Sequence, residues 1–167
     1  MIWNTQDTVA QKGGIAVQSK TGHAFIKQTM RTEGAVYGGE ISAHHYFRDF
    51  AYCDSGMIPW LLVAELVSKS GRSLRDWVRG RFEKFPSSGE RNFTVTNPDI
   101  AIEAVLAEFR NGGSMDDSDG VSVAFADWRF NLRKSNTEPL VRLNIETRGS
   151  ADAIEARVAM ICEKLLL

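Results

Sequence analysis

A dense set of hydrogen-bond donors lies between Arg133 and Arg142, in the stretch RKSNTEPLVR. Ser135 and Thr137 supply hydroxyl groups, and Asn136 supplies an amide. Arg133 adds a planar guanidinium that matches the oxygens of a phosphate group, and Arg142 can reach the same point from the next strand. Backbone N–H groups in a tight turn also form a concave nest for anions. The stretch indicates a phosphate-binding loop, and the alternative is a solvated turn with ordinary surface arginines.

Two further polar stretches, KTGH and GGEISAHHYF, carry groups that bind sugars or move protons. The carboxylate of Glu40 can accept hydrogen bonds from two sugar hydroxyls, and the hydroxyl of Ser42 can bond a third. His23 and His44 have side chains whose reference pKa, about 6.5, suits proton transfer near neutral pH. By residue type alone, an acidic loop residue and a hydroxyl on a turn explain Glu40 and Ser42 about as well, and a lone histidine is more often structural than catalytic.

The histidines and acidic residues follow no strong metal-binding template. His23, His44, His45 and Cys53 are spaced unlike the ligands of structural zinc sites. The acidic run MDDSDG lacks the full ligand pattern and closing glutamate of an EF-hand, so we interpret it as a turn that enters a strand. The sequence therefore predicts no metal ligand in this chain.

Length and composition limit the class of protein. The chain has 167 residues, is 43% hydrophobic and has a formal net charge of −1, which suits one ordinary domain or two small ones. A nucleic-acid-binding surface would need an excess of basic residues, so nucleic acid is not expected as a partner. Cys53 and Cys162 form no CxxC motif, and no apolar run resembles a membrane span or a secretory signal. We expect a cytoplasmic protein with no membrane partner.

The first half of the chain alternates helical and extended patterns. TQDTVAQKGG and AFIKQTMRTEG predict helices, whereas IAVQ and AVYG predict short strands, an order typical of an α/β layer with parallel strands. MIPWLLVAELVSKSG predicts a helix that is apolar on most sides and therefore buried, and SLRDWVRGRF predicts an amphipathic helix after it. The stretch KFPSSGER is predicted to be a linker.

The second half predicts a separate α+β unit. After the strand NFTVT, the stretch NPDIAIEAVLAEFRNGG predicts a helix with Asn97 as its N-cap and Pro98 in its first turn. VSVAF, WRFNL and LVRLNIET alternate apolar and polar residues as antiparallel strands do, and Ser150 is predicted to cap a final helix. We therefore predict an α/β domain over residues 1–85 and a small β-α-β-β-β-α domain with an antiparallel sheet over residues 86–167.

Three of these stretches resemble one family, the α-D-phosphohexomutases, which are the bacterial phosphomannomutase/phosphoglucomutase enzymes. RKSNTEPLVRLNIE is similar to their phosphate-binding loop, Arg-x-Ser-(Asn/Gly)-Thr-x-Pro followed by an Arg and a later Glu, which is Glu146 here. GGEISAHHYF is similar to their sugar-binding loop, Gly-Glu-Met-Ser-Gly-His, with Ile41 and Ala43 as departures. KTGH matches a Thr-Gly-His segment that places a histidine near the active centre, and DSG at residues 54–56 also fits the pattern.

The resemblance implies a role for each matching residue. Those in the phosphate-binding loop would hold the phosphate that does not react, and they are Arg133, Ser135, Asn136, Thr137 and Arg142. Those in the sugar-binding loop would bind hydroxyls, and they are Glu40 and Ser42. His23 and His44 would be the catalytic residues near the reacting groups.

The resemblance covers nearly the whole chain but only part of the family pattern. It corresponds to a truncated third domain and to the complete C-terminal domain. The phosphoserine loop, Thr-Ala-Ser-His-Asn-Pro, and the magnesium loop, Asp-Gly-Asp-x-Asp-Arg, do not occur in the sequence. The complete enzyme would use Mg²⁺ and a hexose 1,6-bisphosphate activator to move a phosphoryl group between C1 and C6 of hexose phosphates.

These absences determine the expected function. We expect a C-terminal phosphohexomutase portion that positions sugar and phosphate, is inactive alone and holds no cofactor by itself. Its expected partners are a hexose phosphate and either the missing N-terminal domains or a second copy of the chain. The alternative is a non-catalytic module that binds phosphosugars or assembles with a partner.

Overall fold

The structure, a computed structural model, describes residues 2–135 and 138–166. The chain divides into two compact units, and we call Val17–Arg79 the middle unit and Met1–Ala16 with Gly80–Leu167 the C-terminal unit. The elements in chain order are α1 (Ile2–Gln11), α2 (His23–Thr32), β1 (Tyr37–Gly39), β2 (His45–Phe47), β3 (Cys53–Asp54), α3 (Met57–Ser70), α4 (Leu74–Lys84), β4 (Ser87–Thr94), α5 (Pro98–Phe109), β5 (Ser114–Asp116), β6 (Val121–Ala124), β7 (Trp128–Lys134), β8 (Leu140–Thr147) and α6 (Asp152–Leu165). The predicted mixture of helices and strands is confirmed.

The middle unit contains a small antiparallel sheet of order β1-β2-β3. β2 is the central strand, and its Tyr46 is fully buried. α2 packs against this point through Ile26 and Met30, which form a small core with Tyr46. The sheet therefore holds the two loops beside β2 in a defined position.

Two details predicted for this half of the chain are wrong. Residues 15–18, predicted as a strand, form neither helix nor strand. The strands described in the middle unit pair antiparallel, not parallel. The alternating pattern suggested crossover connections, but these strands are two or three residues long and are joined by short loops, which suit antiparallel pairing.

The predicted burial of α3 is also wrong. No residue of this helix is buried, Trp60 is 61% exposed, and Leu61 and Leu62 are each more than half exposed. An apolar helix needs a covering layer, and the described residues of the middle unit do not supply one for α3. No helix within residues 2–135 and 138–166 is long and apolar enough to cross a membrane.

The C-terminal unit is a five-stranded antiparallel sheet of order β4-β8-β7-β6-β5. Val141, Leu143 and Ile145 on β8 are fully buried in a core shared with α5 and α6. The Asn97 side chain accepts hydrogen bonds from two backbone N–H groups of α5, which confirms the predicted cap. The predicted apolar stripe of α6 is confirmed as well, and its buried residues are Ile154, Val158, Ile161 and Leu165.

Two boundaries and the number of strands in this unit differ from the prediction. β4 begins at Ser87, inside the predicted linker, and its register with β8 is irregular between Ser87 and Glu90. Gly89, at φ +63°, lies at this irregularity, so the residues that look like a flexible connection form a bulge in a strand. The short strand β5 adds a fourth strand to the predicted run of three. The N-cap of α6 is Ala151, although the Ser150 hydroxyl still accepts from the Asp152 N–H at 3.1 Å.

A buried ion pair joins β7 and β8 on the face of the sheet opposite the apolar core. Arg129 and Glu146 pair directly across the strands, and their side chains are only 6% and 5% exposed. The Glu146 carboxylate lies 3.5 Å from the Arg129 guanidinium and accepts from the N–H groups of Ile2 (2.6 Å) and Trp3 (3.1 Å). Arg129 also donates to the Ser122 hydroxyl at 2.9 Å. Glu146 therefore ties the first turn of α1 to the sheet.

Candidate functional site

The predicted sugar-binding residues lie in the loop that joins β1 to β2. Two backbone hydrogen bonds close this loop, from the Glu40 N–H to the His44 carbonyl (2.9 Å) and from the Ala43 N–H to the Glu40 carbonyl (3.1 Å). Ala43 has φ +65°, in the left-handed region that costs a residue with a Cβ atom about 1 kcal/mol. This geometry explains why glycine suits the position. The loop brings Glu40, Ser42 and His44 into one short turn.

Tyr46 orients the Glu40 carboxylate. Its hydroxyl donates to Glu40 Oε1 at 2.5 Å. Burial, with a further contribution from the Glu40 carboxylate, raises the pKa of Tyr46 far above its usual range, so the hydroxyl stays a donor at neutral pH. A short bond to an ionised acceptor fixes the direction of the carboxylate. Glu40 is therefore preorganised to accept hydrogen bonds from a ligand.

His44 forms a hydrogen-bonded pair with Asp54, which ends β3. His44 Nδ1 lies 2.6 Å from Asp54 Oδ2, while Asp54 Oδ1 accepts from the His45 N–H at 2.9 Å. The hydrogen bonds from His44 and His45 lower the pKa of Asp54, so this carboxylate is ionised at neutral pH. An ionised acceptor at Nδ1 selects the tautomer that leaves Nε2 of His44 able to accept a proton.

His23 lies beside this pair, as the first residue of α2. The centre of its ring is 4.7 Å from the centre of the His44 ring and 5.5 Å from that of Tyr46. Although His23 and His44 lie in separate motifs of the sequence, the fold places their rings edge to face. The two predicted catalytic histidines are therefore in contact.

The predicted phosphate-binding residues lie where β7 passes into β8. Arg133 and Arg142 are directly opposite each other on these strands. The Ser135 N–H donates to the Leu140 carbonyl at 3.0 Å, and the Ser135 hydroxyl accepts from the Glu138 N–H at 3.3 Å. Asn136 and Thr137, the other predicted members of this loop, lie outside the described residues. The two arginines therefore flank the base of the connection.

Carboxylates hold both arginines. Arg133 contacts Asp119 through Nη1 (3.2 Å) and Glu90 through Nη2 (3.3 Å). Glu90 also lies 3.6 Å from Arg142 Nη1, so one carboxylate bridges the two guanidinium groups. Among the described residues, the buried Nε of Arg142 has no hydrogen-bond partner. Two carboxylates balance the two guanidinium charges here, so an anion that binds the arginines must compete with Glu90 for their N–H donors.

The residues that sequence reasoning missed are the partners of those it found. Tyr46, Glu90 and Asp119 were not singled out, and Asp54 was noted only as part of a motif. Each acts through a side-chain contact that the sequence pattern does not reveal, across separations from 6 positions for Tyr46 and Glu40 to 43 positions for Arg133 and Glu90. The one available signal for Glu90 is the polar run Ser-Gly-Glu inside β4, which the sequence pattern alone assigns to a linker.

Comparisons with known proteins identify the family of the chain. Residues 1–85 match the family model described as "Phosphoglucomutase/phosphomannomutase, alpha/beta/alpha domain III", and residues 90–164 match the one described as "Phosphoglucomutase/phosphomannomutase, C-terminal domain". The chain therefore belongs to the phosphoglucomutase/phosphomannomutase family. It corresponds to the C-terminal part of longer members, as the resemblance implied.

Individual relatives show how much of a family member the chain represents. It is 60% identical over 166 residues to a phosphomannomutase of Salmonella montevideo, covering 99% of this chain and 36% of that protein. It is 61% identical over 158 residues to a phosphomannomutase of Escherichia coli K12, covering 94% of this chain and 35% of the relative. A phosphoglucomutase/phosphomannomutase family protein of Burkholderia thailandensis matches in structure with a TM-score of 0.73 at 26% identity, over 97% of this chain and 34% of that one. The chain thus spans little more than a third of the length of these relatives.

The magnesium ion that the family resemblance implies does not fit the donors found here. Mg²⁺ prefers octahedral oxygen ligands, and the sequence lacks the aspartate-rich loop of the family. The compact group of possible metal ligands among the described residues contains two histidines, His23 and His44, with Asp54. The described residues therefore offer magnesium no donor set that suits it.

Proposed function

We propose that this chain supplies the sugar-binding and phosphate-binding residues of a phosphohexomutase, which moves a phosphoryl group between C1 and C6 of a hexose phosphate. The main support is the pair of arginines bridged by Glu90 beside the Ser135 turn, in a chain of this family. The preorganised Glu40 and His44 of the middle unit supply hydroxyl-binding and proton-transfer groups. Phosphoryl transfer depends mainly on such positioning and on charge stabilisation.

Phosphate binding is testable on the chain itself. We expect glucose 1-phosphate, mannose 1-phosphate and inorganic phosphate to shift the backbone amide NMR signals of Ser135 and its neighbours. Arg133→Ala should weaken binding about 10- to 100-fold, because each charge-assisted hydrogen bond contributes roughly 1.5–3 kcal/mol. Arg110→Ala, which removes the same charge from a pair with Glu103 in the same unit, is the control and should change little.

A second variant tests the role assigned to Glu90. Glu90→Gln removes the carboxylate that competes with the ligand for both arginines, so we expect phosphate to bind about threefold more tightly, in keeping with the modest value of a partly exposed ion pair. Glu103→Gln carries the same charge change and should leave the affinity unchanged. Weaker binding by Glu90→Gln would show that the carboxylate organises the arginines instead of competing for them.

The proposed reaction needs a phosphoryl donor that this chain does not contain. Purified chain supplied with glucose 1-phosphate and the 1,6-bisphosphate activator should show no turnover. Co-expression with the N-terminal portion of a relative, which would carry the phosphoserine and magnesium loops, should restore mutase activity. Turnover by the chain alone would contradict this division of roles.

A partner-assembly role is favoured by one observation, the exposed apolar surface of α3. The matched model describes an alpha/beta/alpha domain, in which helices cover a sheet, whereas Trp60, Leu61 and Leu62 of α3 are uncovered. We propose that this surface packs against the N-terminal portion supplied in trans.

Leu61→Glu should weaken the complex at least tenfold in a titration followed by light scattering. Ile100→Glu, at an exposed apolar position of the other unit, should not weaken it. Association of the chain with itself instead would identify a second copy as the occupant.

A further inference from the structure

The cluster of His23, His44 and Asp54 combines donor atoms that divalent transition metals prefer. One candidate ligand atom from each residue lies within 4.8 Å of the other two. The three side chains come from the first residue of α2, the loop before β2 and the end of β3, so only the fold brings them together. The sequence predicted no metal ligand because these positions follow no short spacing pattern.

The donor set discriminates between metals. Two imidazole nitrogens and one carboxylate oxygen suit Zn²⁺, Co²⁺ or Ni²⁺, whereas Mg²⁺ and Ca²⁺ prefer oxygen donors alone. Three protein ligands also leave a fourth tetrahedral position for water or a ligand oxygen, as in catalytic zinc sites.

The distances permit coordination after small side-chain movements. Donors about 2.0–2.1 Å from a tetrahedral ion lie about 3.3 Å from one another. The His44 Nδ1–Asp54 Oδ2 distance of 2.6 Å must therefore lengthen slightly, and any pair wider than about 3.3 Å must shorten from a separation of at most 4.8 Å. The side chains of His44 and Asp54 are 41% and 30% exposed, which leaves room for these rotations.

Neighbouring contacts keep the cluster in place while these rotations occur. The His45 N–H holds Asp54 Oδ1 at 2.9 Å, and Asp54 pairs with the fully buried Tyr46 across β2 and β3. Contacts of this kind from outside the ligand set orient the ligands of metal sites.

We propose that His23, His44 and Asp54 form a binding site for a divalent transition-metal ion such as Zn²⁺. The ion takes the place of the proton shared by His44 and Asp54. A bound ion would occupy both histidines and withdraw them from proton transfer. The site does not depend on the proposed mutase function, because it requires only the middle unit's own side chains.

Titration of the purified chain with Co²⁺ and Zn²⁺ tests the site. A Cys53→Ser background removes the exposed thiol that neighbours Asp54. We expect one Co²⁺ per chain with the visible absorption of four-coordinate cobalt, displacement of Co²⁺ by Zn²⁺, and no displacement by an equal concentration of Mg²⁺. His23→Ala, His44→Ala and Asp54→Asn should each weaken Co²⁺ binding at least tenfold.

Matched controls keep the result specific. His45→Ala removes a neighbouring imidazole whose Nδ1 bonds the Tyr37 hydroxyl, and Asp49→Asn removes an exposed carboxylate, so both should keep wild-type affinity. Far-UV circular dichroism checks that each variant is folded. The proposal is overturned if cobalt develops no four-coordinate spectrum, or if His45→Ala loses as much affinity as His23→Ala. Loss of binding only in the Cys53→Ser background would assign the metal to the thiol and equally refute this ligand set.

Discussion

Glu146→Gln is expected to destabilise the C-terminal unit by about 3–5 kcal/mol, the range seen when one partner of a buried ion pair is removed. The change is nearly isosteric, so the loss comes from charge and not from a cavity. It leaves the Arg129 guanidinium buried opposite a neutral amide. It also replaces an ionised acceptor at the first N–H groups of α1, where a negative charge interacts favourably with the helix dipole.

Urea unfolding followed by the amide signals of β7 and β8 measures this effect. Burial lowers the pKa of Arg129, and the charge of the Glu146 carboxylate opposes this shift. Glu146→Gln removes that opposing charge. Glu103→Gln, in an exposed pair with Arg110, should cost no more than about 1 kcal/mol. If Glu146→Gln does not fold, the double variant Arg129→Met/Glu146→Gln should recover folding, because it removes the unpaired charge. A single variant within about 0.5 kcal/mol of wild type would show that the pair contributes little.

Asp54→Asn is expected to lower kcat of the reconstituted mutase about 100-fold, within the usual range for losing general acid–base catalysis. An amide at this position can donate to His44 Nδ1 and so favour the wrong tautomer, with the proton on Nε2. Asp54 is thus a positioning residue that acts through His44. This expectation depends on the proposed function, because the proton transfer belongs to the mutase reaction.

Two measurements separate positioning from a general loss of structure. The ¹⁵N shifts of the His44 ring report the tautomer directly in the isolated chain, and they should change in Asp54→Asn but not in Asp49→Asn. Asp54→Glu, which keeps the carboxylate, should recover part of the activity. If the ring shifts are unchanged while activity falls, Asp54 does not act through the tautomer of His44. If the ring shifts change while activity stays full, the tautomer of His44 does not matter for catalysis.

Local patterns were sufficient wherever neighbouring residues decide the structure. Asn97 followed by Pro98 predicted the start of α5, and alternation predicted the buried residues of β8, because capping and strand periodicity act over a few residues. The bulge at Gly89 escaped prediction, since a Ser-Ser-Gly run looks like a linker unless the partner strand is known. The burial of α3 was predicted wrongly because a helix is buried only where another layer of structure covers it. The sequence pattern of the helix cannot reveal that layer.

The distinction between local patterns and tertiary contacts also applies to the candidate site. The amino-acid sequence by itself determined the family, and it predicted which residues bind phosphate and sugar, because these residues lie in short contiguous motifs. Only the tertiary structure showed that Tyr46 holds Glu40, that Glu90 bridges Arg133 and Arg142, and that Asp54 joins His44. The reason is physical: each of these contacts acts over a few ångströms between side chains on different strands and loops. Their strength depends on distance and burial, and folding alone creates both.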